Sequence, residues 1–199
     1  PDGGRVVLDG ADITSMSARE RFRRGVGRTF QVAQTFPSMS VAENVQMALI
    51  SHRGESLGLV RPARERYRED ALRLLARVGM ADAADRPGST LAYGDVKRVE
   101  LAVALAGRPI LLLMDEPTAG MAPRERADLM ELTESLAKAE GIGVLFTEHD
   151  MDVVFGHADR VLVLLRGEII ATGSPEEVRA DPQVRQAYLG DEHALRSPP

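Results

Sequence analysis

The stretch Ile110-Leu111-Leu112-Leu113-Met114-Asp115-Glu116-Pro117 decides how the rest of the chain is read. An unbroken apolar run bounded by Pro suits a strand covered on both faces, because a half-exposed strand would alternate polar and apolar residues. The run ends in two acids. Downstream, residues 123–140 have helical amphipathicity, residues 143–147 are a second apolar run, residues 151–155 read as helical and residues 161–165 are apolar again. An Arg166-Gly167 turn then leads into residues 168–171. Strand–helix–strand alternation of this kind predicts an α/β fold built on a parallel sheet, with a short antiparallel element at its end. In such sheets ligands lie outside the carboxyl ends of the strands, which is where Asp115 and Glu116 would be delivered. Taken alone, the segment is equally a strand ending in solvated acids.

Upstream the rhythm is helical. Residues 94–106 form a predicted helix closed by Gly107 and Pro109. Residues 62–78 form another, with Pro62 near its first turn and Tyr67, Ala71, Leu74, Leu75 and Val78 on one face; Gly79 stops it. Arg64, Glu65, Arg68, Glu69 and Arg73 make a solvated opposite face. Residues 41–50 are helical by pattern and residues 51–61 read as a loop. Further back come a short strand at 27–30, a short basic helix at 17–24, and a strand at 5–8 turned by Asp9-Gly10. The chain is therefore expected to begin in mid-fold, on a connecting hairpin. One domain is expected over residues 1–190, with a helical subdomain at about 38–106, an α/β core at about 107–173, and a polar, frayed tail at 191–199.

Composition narrows the function classes. The chain has 199 residues, a net charge of −5 and no cysteine. A broad nucleic-acid surface is not indicated by that charge, and disulfides and Cys-based zinc sites are excluded. The longest apolar run, residues 101–106, is far short of the ~20 residues a membrane-spanning helix needs. The first residues also lack a charged-then-apolar secretion pattern. If a membrane is involved, other subunits span it.

Three further segments carry candidate chemistry. Leu91-Ala92-Tyr93-Gly94-Asp95 precedes a helix, where small residues permit close approach and free N–H groups attract phosphate. Thr147-Glu148-His149-Asp150 ends an apolar run, and a histidine there can hydrogen-bond a phosphate or an attacking water. Thr29-Phe30-Gln31 follows a short strand, and a glutamine can serve a metal-bound water and a phosphate. Each has a bland reading: a Gly-containing helix start, a surface histidine, a polar residue after a strand.

Their order and spacing are specific. Gln31, then 91–95, then Asp115-Glu116, then His149 resembles the motif series of ABC transporter ATPases over nearly the whole chain. The resemblance implies a P-loop NTPase-like sheet core with an inserted helical subdomain. It matches Gln31 to the Q-loop, Leu91, Ala92, Tyr93, Gly94 and Asp95 to the signature motif, and Asp115 to the Walker B aspartate. Glu116 matches the catalytic glutamate, His149 the H-loop, and Ala119, Gly120, Met121 and Ala122 the D-loop. "RTFQ", "LAYGD", "DEPTAGMAP", "TEHDMDVV" and "DPQVRQAYLG" are similar to the ATPases of high-affinity branched-chain amino acid importers. Urea and amide importers and the lipopolysaccharide exporter lie nearby.

What the resemblance implies is a head-to-tail pair of cassettes with ATP and Mg²⁺ between them. Asp115 and Gln31 would serve the metal, Glu116 would be general base and His149 would support the γ-phosphate. Residues 91–95 would serve the partner's nucleotide. Permease subunits, a solute-binding protein acting indirectly, and a location on the cytoplasmic face of the inner membrane follow. Residues 32–39, with Phe36, Pro37 and Met39, are expected to help form the groove for a permease helix. Three departures stand out. No GxxxxGK[ST] loop occurs, since Lys97 and Lys138 are the chain's lysines and neither follows a Gly-rich loop. The first strands and the P-loop are thus expected to be missing, or else the cassette is a non-hydrolysing regulatory one. Ala92 stands where the family commonly has Ser, and Ala122 where its D-loop ends in an acid or amide.

Overall fold

The computed structural model of the chain describes residues 3–31, 35–54, 65 and 67–189. They fall in two compact units, Pro1–Thr147 and Glu148–Pro199. In the first, β1 (Val7–Leu8) and β2 (Ala11–Asp12) form an antiparallel hairpin. Its two turn residues, Asp9 and Gly10, both have positive φ, as a two-residue hairpin requires. Helix α1 (Ala18–Arg23) starts on a capping box in which Ser17 and Glu20 satisfy each other's backbone N–H.

Three parallel strands form the sheet, in the order β3 (Val26–Arg28), β4 (Leu111–Asp115), β5 (Gly143–Thr147). Among the described residues, three α-helices lie in sequence between β3 and β4: α2 (Val41–His52), α3 (Arg68–Arg77) and α4 (Tyr93–Leu105). Val41, Val45, Ala71, Leu75, Val78, Val99 and Leu101 are the near-fully buried centre of the core that these helices share with Leu112 and Met114 of β4. Helix α5 (Pro123–Glu140) adds Leu129 to it. The α/β architecture, the parallel sheet and the antiparallel pieces are as the sequence predicts.

Some boundaries are not. The helix expected over 62–78 begins at Arg68, because Tyr67 takes a left-handed conformation (φ 58°) that cannot continue a helix. Its ring lies under the Arg53 guanidinium, 4.2 Å from centroid to Cζ. Residues 62–64 and 66, most of the loop expected at 51–61, residues 32–34 of the expected groove and the tail at 191–199 lie outside the described residues. The sheet is also less covered than its apolar strands suggest. Val144 and Phe146 pack on the core, but Leu145, on the opposite face of β5, is 62% exposed.

The second unit contains α6 (Met151–His157), the antiparallel pair β6 (Val161–Leu165) and β7 (Glu168–Gly173), α7 (Pro175–Ala180) and α8 (Pro182–Val184). Asp150 caps α6, Ser174 and Glu177 form a capping box on α7, and Asp181 caps α8. α7 and α8 were not expected from the sequence. Val161, Val178 and Val184 are the buried members of this unit's small core.

Candidate functional site at the carboxyl edge of the sheet

The register of the sheet sets the site. Asp115 is the cross-strand partner of Thr147, so the last residues of β4 and β5 stand side by side. Thr147 Oγ1 donates to Asp115 Oδ1 at 2.8 Å, and the Arg28 guanidinium, at the end of β3, is 3.7 Å from Asp115 Oδ2. The Asp115 side chain remains half exposed. One carboxylate with accessible oxygen at a strand end suits a hard cation that keeps several waters. Among the described residues no cluster of three or more His, Cys, Asp or Glu is arranged to hold a metal unaided.

Glu116 follows at once and has a positive φ of 43°. For a residue with a Cβ this is a strained conformation, of the kind that persists where the surroundings enforce it. They do so here: the Glu116 N–H donates to Thr147 O at 3.0 Å and lies 3.2 Å from Thr147 Oγ1, and Ala119 N–H closes a turn onto Glu116 O. Gln31 Nε2 donates to Glu116 Oε2 at 2.7 Å, across a sequence separation of 85 residues. The sequence-predicted Gln31 and Glu116 are therefore in direct contact.

The segment 91–95 forms the start of α4. Ala92 is the N-cap, with no side-chain capping bond, so the first turn keeps its donor N–H groups and the positive end of the helix dipole. Tyr93 Oη is 3.4 Å from Gln31 O. Gly94 is buried, and a Cβ there would come within 3.3 Å of Glu125 Oε1 and 3.7 Å of Met121. The 119–122 turn thus packs against the helix start of the same chain, with Gly120 (φ 76°) beside the Tyr93 ring. At the start of α5 Ala122 has no side-chain acceptor, so the cap is one-sided: Glu125 Oε2 accepts the Ala122 N–H at 3.2 Å. Leu91 packs on the core, and Asp95 occupies the first turn. His149 is exposed, two residues beyond β5, and belongs to the second unit.

Sequence reasoning missed four residues at this edge. Arg28 and Thr147 act only through cross-strand register. Lys97 and Glu100, on α4, have side chains 2% and 5% exposed and hold the backbone of residues 30–31. Lys97 and Glu100 stand three apart on α4, but so do Asp95 and Arg98, and spacing alone does not tell the buried pair from the other.

Comparison with known proteins identifies the family. A family model described as ABC transporter matches residues 1–119, and one described as branched-chain amino acid ATP-binding cassette transporter matches residues 168–194. The chain is 37% identical over 198 residues to the high-affinity branched-chain amino acid transport ATP-binding protein BraF of Pseudomonas aeruginosa, covering 96% of this chain and 78% of that one. It is 38% identical over 195 residues to the lipopolysaccharide export system ATP-binding protein LptB of Acidithiobacillus ferridurans, covering 98% and 77%. The crystal structure of the ADP conformation of MJ1267, an ATP-binding cassette of an ABC transporter, superposes with a TM-score of 0.82 at 33% identity over 96% of this chain and 78% of that one. A sheet edge carrying Asp115, Glu116 and Gln31, and a family match over more than half the chain, place this protein among the ABC transporter ATP-binding proteins.

Proposed function

We propose that the protein is the ATP-hydrolysing subunit of an importer for branched-chain amino acids or similar small solutes. The observation that carries the reading of the site is the 2.7 Å contact between Gln31 and Glu116, beside Asp115 at the sheet's carboxyl edge. The solute rests on the relatives' names and on the match over residues 168–194; identity to the lipopolysaccharide-export protein is as high, so the site itself does not choose between them.

In this reading Glu116 accepts the proton of the attacking water, and Gln31 orients the carboxylate that does so. Asp115 and the Gln31 amide oxygen would hold Mg²⁺, which would neutralise charge on the phosphates. His149 would donate to the γ-phosphate. Phosphoryl transfer depends chiefly on such positioning and electrostatics. The first turn of α4, uncapped by any side chain, would receive phosphate from the nucleotide of a second cassette, with backbone N–H groups standing in for the hydroxyl that Ala92 lacks. Residues 119–122 would line the interface between cassettes, with permease subunits bound elsewhere. Among the described residues no helix is long and apolar enough to cross a membrane, consistent with a peripheral position at the inner membrane's cytoplasmic face.

Residues 1–199 hold no Gly-rich phosphate loop with its lysine, and we infer that these residues alone bind Mg-ATP weakly. Calorimetry on the chain should give no micromolar affinity. In the assembled transporter Glu116→Gln should abolish steady-state hydrolysis while ATP still closes the cassette pair, seen as a stable dimer by size-exclusion chromatography. Hydrolysis at the unaltered rate would remove Glu116 from this role.

A further inference from the structure

Buried charges are costly, and a buried ion pair is retained only when its surroundings use its hydrogen-bonding capacity. Lys97 and Glu100 meet that condition in an unusual way. Their 3.3 Å pair is almost wholly removed from solvent. Yet neither points only at the other. Lys97 Nζ also donates to Phe30 O at 2.7 Å and to Gln31 O at 2.9 Å, which employs all three ammonium donors. Glu100 Oε1 accepts from the Phe30 N–H at 2.8 Å. Residue 30 is thus gripped on both sides, its N–H by the anion and its C=O by the cation. The next residue is Gln31, whose side chain reaches Glu116.

We propose that Lys97 and Glu100 are positioning residues: they fix the backbone of residues 30–31 on α4, and so set the reach of Gln31 to Glu116. The helix that carries them is the one whose first turn is residues 93–95. A single rigid element therefore joins that helix start to the group touching Glu116. A pair kept for stability alone would need no bonds to this backbone, and an apolar pair of similar volume would replace it. The inference rests on the proposed role of Glu116 and Gln31 in hydrolysis.

The test is the double variant Lys97→Met/Glu100→Leu in the assembled transporter, with Lys97→Met alone and Glu116→Gln as companions. Replacing both charges by apolar residues removes the uncompensated charge that destabilises the single variant, so Tm should return close to the parent value. Turnover should not return with it. We expect kcat for ATP to stay down by between about tenfold and a hundredfold, the scale of loss for a group misplaced by an ångström, with KM changed far less. Hydrogen exchange of the Phe30 amide should quicken in the double variant, which removes the Glu100 acceptor of that N–H. A double variant that regains turnover along with Tm would make the pair merely structural and overturn the proposal. So would unchanged Phe30 exchange. Normal turnover in Glu116→Gln would instead sink the functional reading, while the exchange result would still decide whether the clamp exists.

Discussion

Glu116, the proposed general base, shows how a residue is held against its own backbone preference. Its positive φ costs a residue with a Cβ of order 1 kcal/mol or more, and the turn hydrogen bonds to Thr147 and Ala119 maintain it. Two substitutions separate that strain from the loss of the carboxylate. Both Glu116→Ala and Glu116→Gly forfeit the contact with Gln31, so their difference reports the backbone alone. At most positions Gly is less stable than Ala; here the order should reverse, with Gly more stable by about 1 kcal/mol in chemical denaturation. Equal stability, or the usual order, would show the turn to be unstrained. The acids themselves were legible in the sequence, because an apolar run ending in Asp115-Glu116 is a one-dimensional pattern. Arg28 and Thr147 were not legible, since which residues face Asp115 depends on strand register, and register is a property of the folded sheet. Lys97 and Glu100 stayed hidden for the opposite reason: charges on a helix read by default as a solvated face, and only burial reverses that reading.

At the scale of elements, the segment leading into α2 is shaped by bonds rather than by burial. Asn44, itself 4% exposed, accepts the Phe36 N–H at 2.7 Å and donates to Phe36 O and Ser40 O. Met39 O accepts from Gly88 N–H and Pro37 O from Ser89 N–H, so the segment is stitched to the loop before α4 as well. Upon this fixed backbone the Phe36 ring is 55% exposed. An exposed aromatic on a rigid platform loses little entropy when covered, which is what an interface anchor requires. Phe36→Asp should therefore leave the unfolding free energy within about 0.5 kcal/mol of the parent, as for other exposed positions. It should leave basal ATPase intact and abolish solute uptake in proteoliposomes. Undiminished uptake would exclude this segment from the permease contact. Helix existence was legible here through the 3.6-residue recurrence of apolar positions, but the start of α3 was not. Pro62 is a sound first-turn residue by rule, whereas the left-handed Tyr67 follows from a local ring–guanidinium contact with Arg53 that no periodicity announces.

At the scale of the whole molecule, the two units differ in how much apolar surface they bury, and stability should follow. The first unit's core draws on four helices, α2, α3, α4 and α5, and on β4. The second has Val161, Val178 and Val184 buried, while Leu162, Leu164 and Ile169 on its two strands are each more than half exposed. Local opening free energy scales with such buried contact, so the units should not unfold as one. Amide exchange at rising denaturant should show β6 and β7 opening at lower concentration than β4 and α4. Val178→Ala removes methyl groups from the smaller core and should lower the second unit's opening free energy by up to about 1.5–3 kcal/mol, the scale for burying a valine. The amides of α4 and β4 should be unmoved by that substitution. Coincident denaturant profiles for all four elements, or an equal shift of α4 by Val178→Ala, would show one cooperative fold instead.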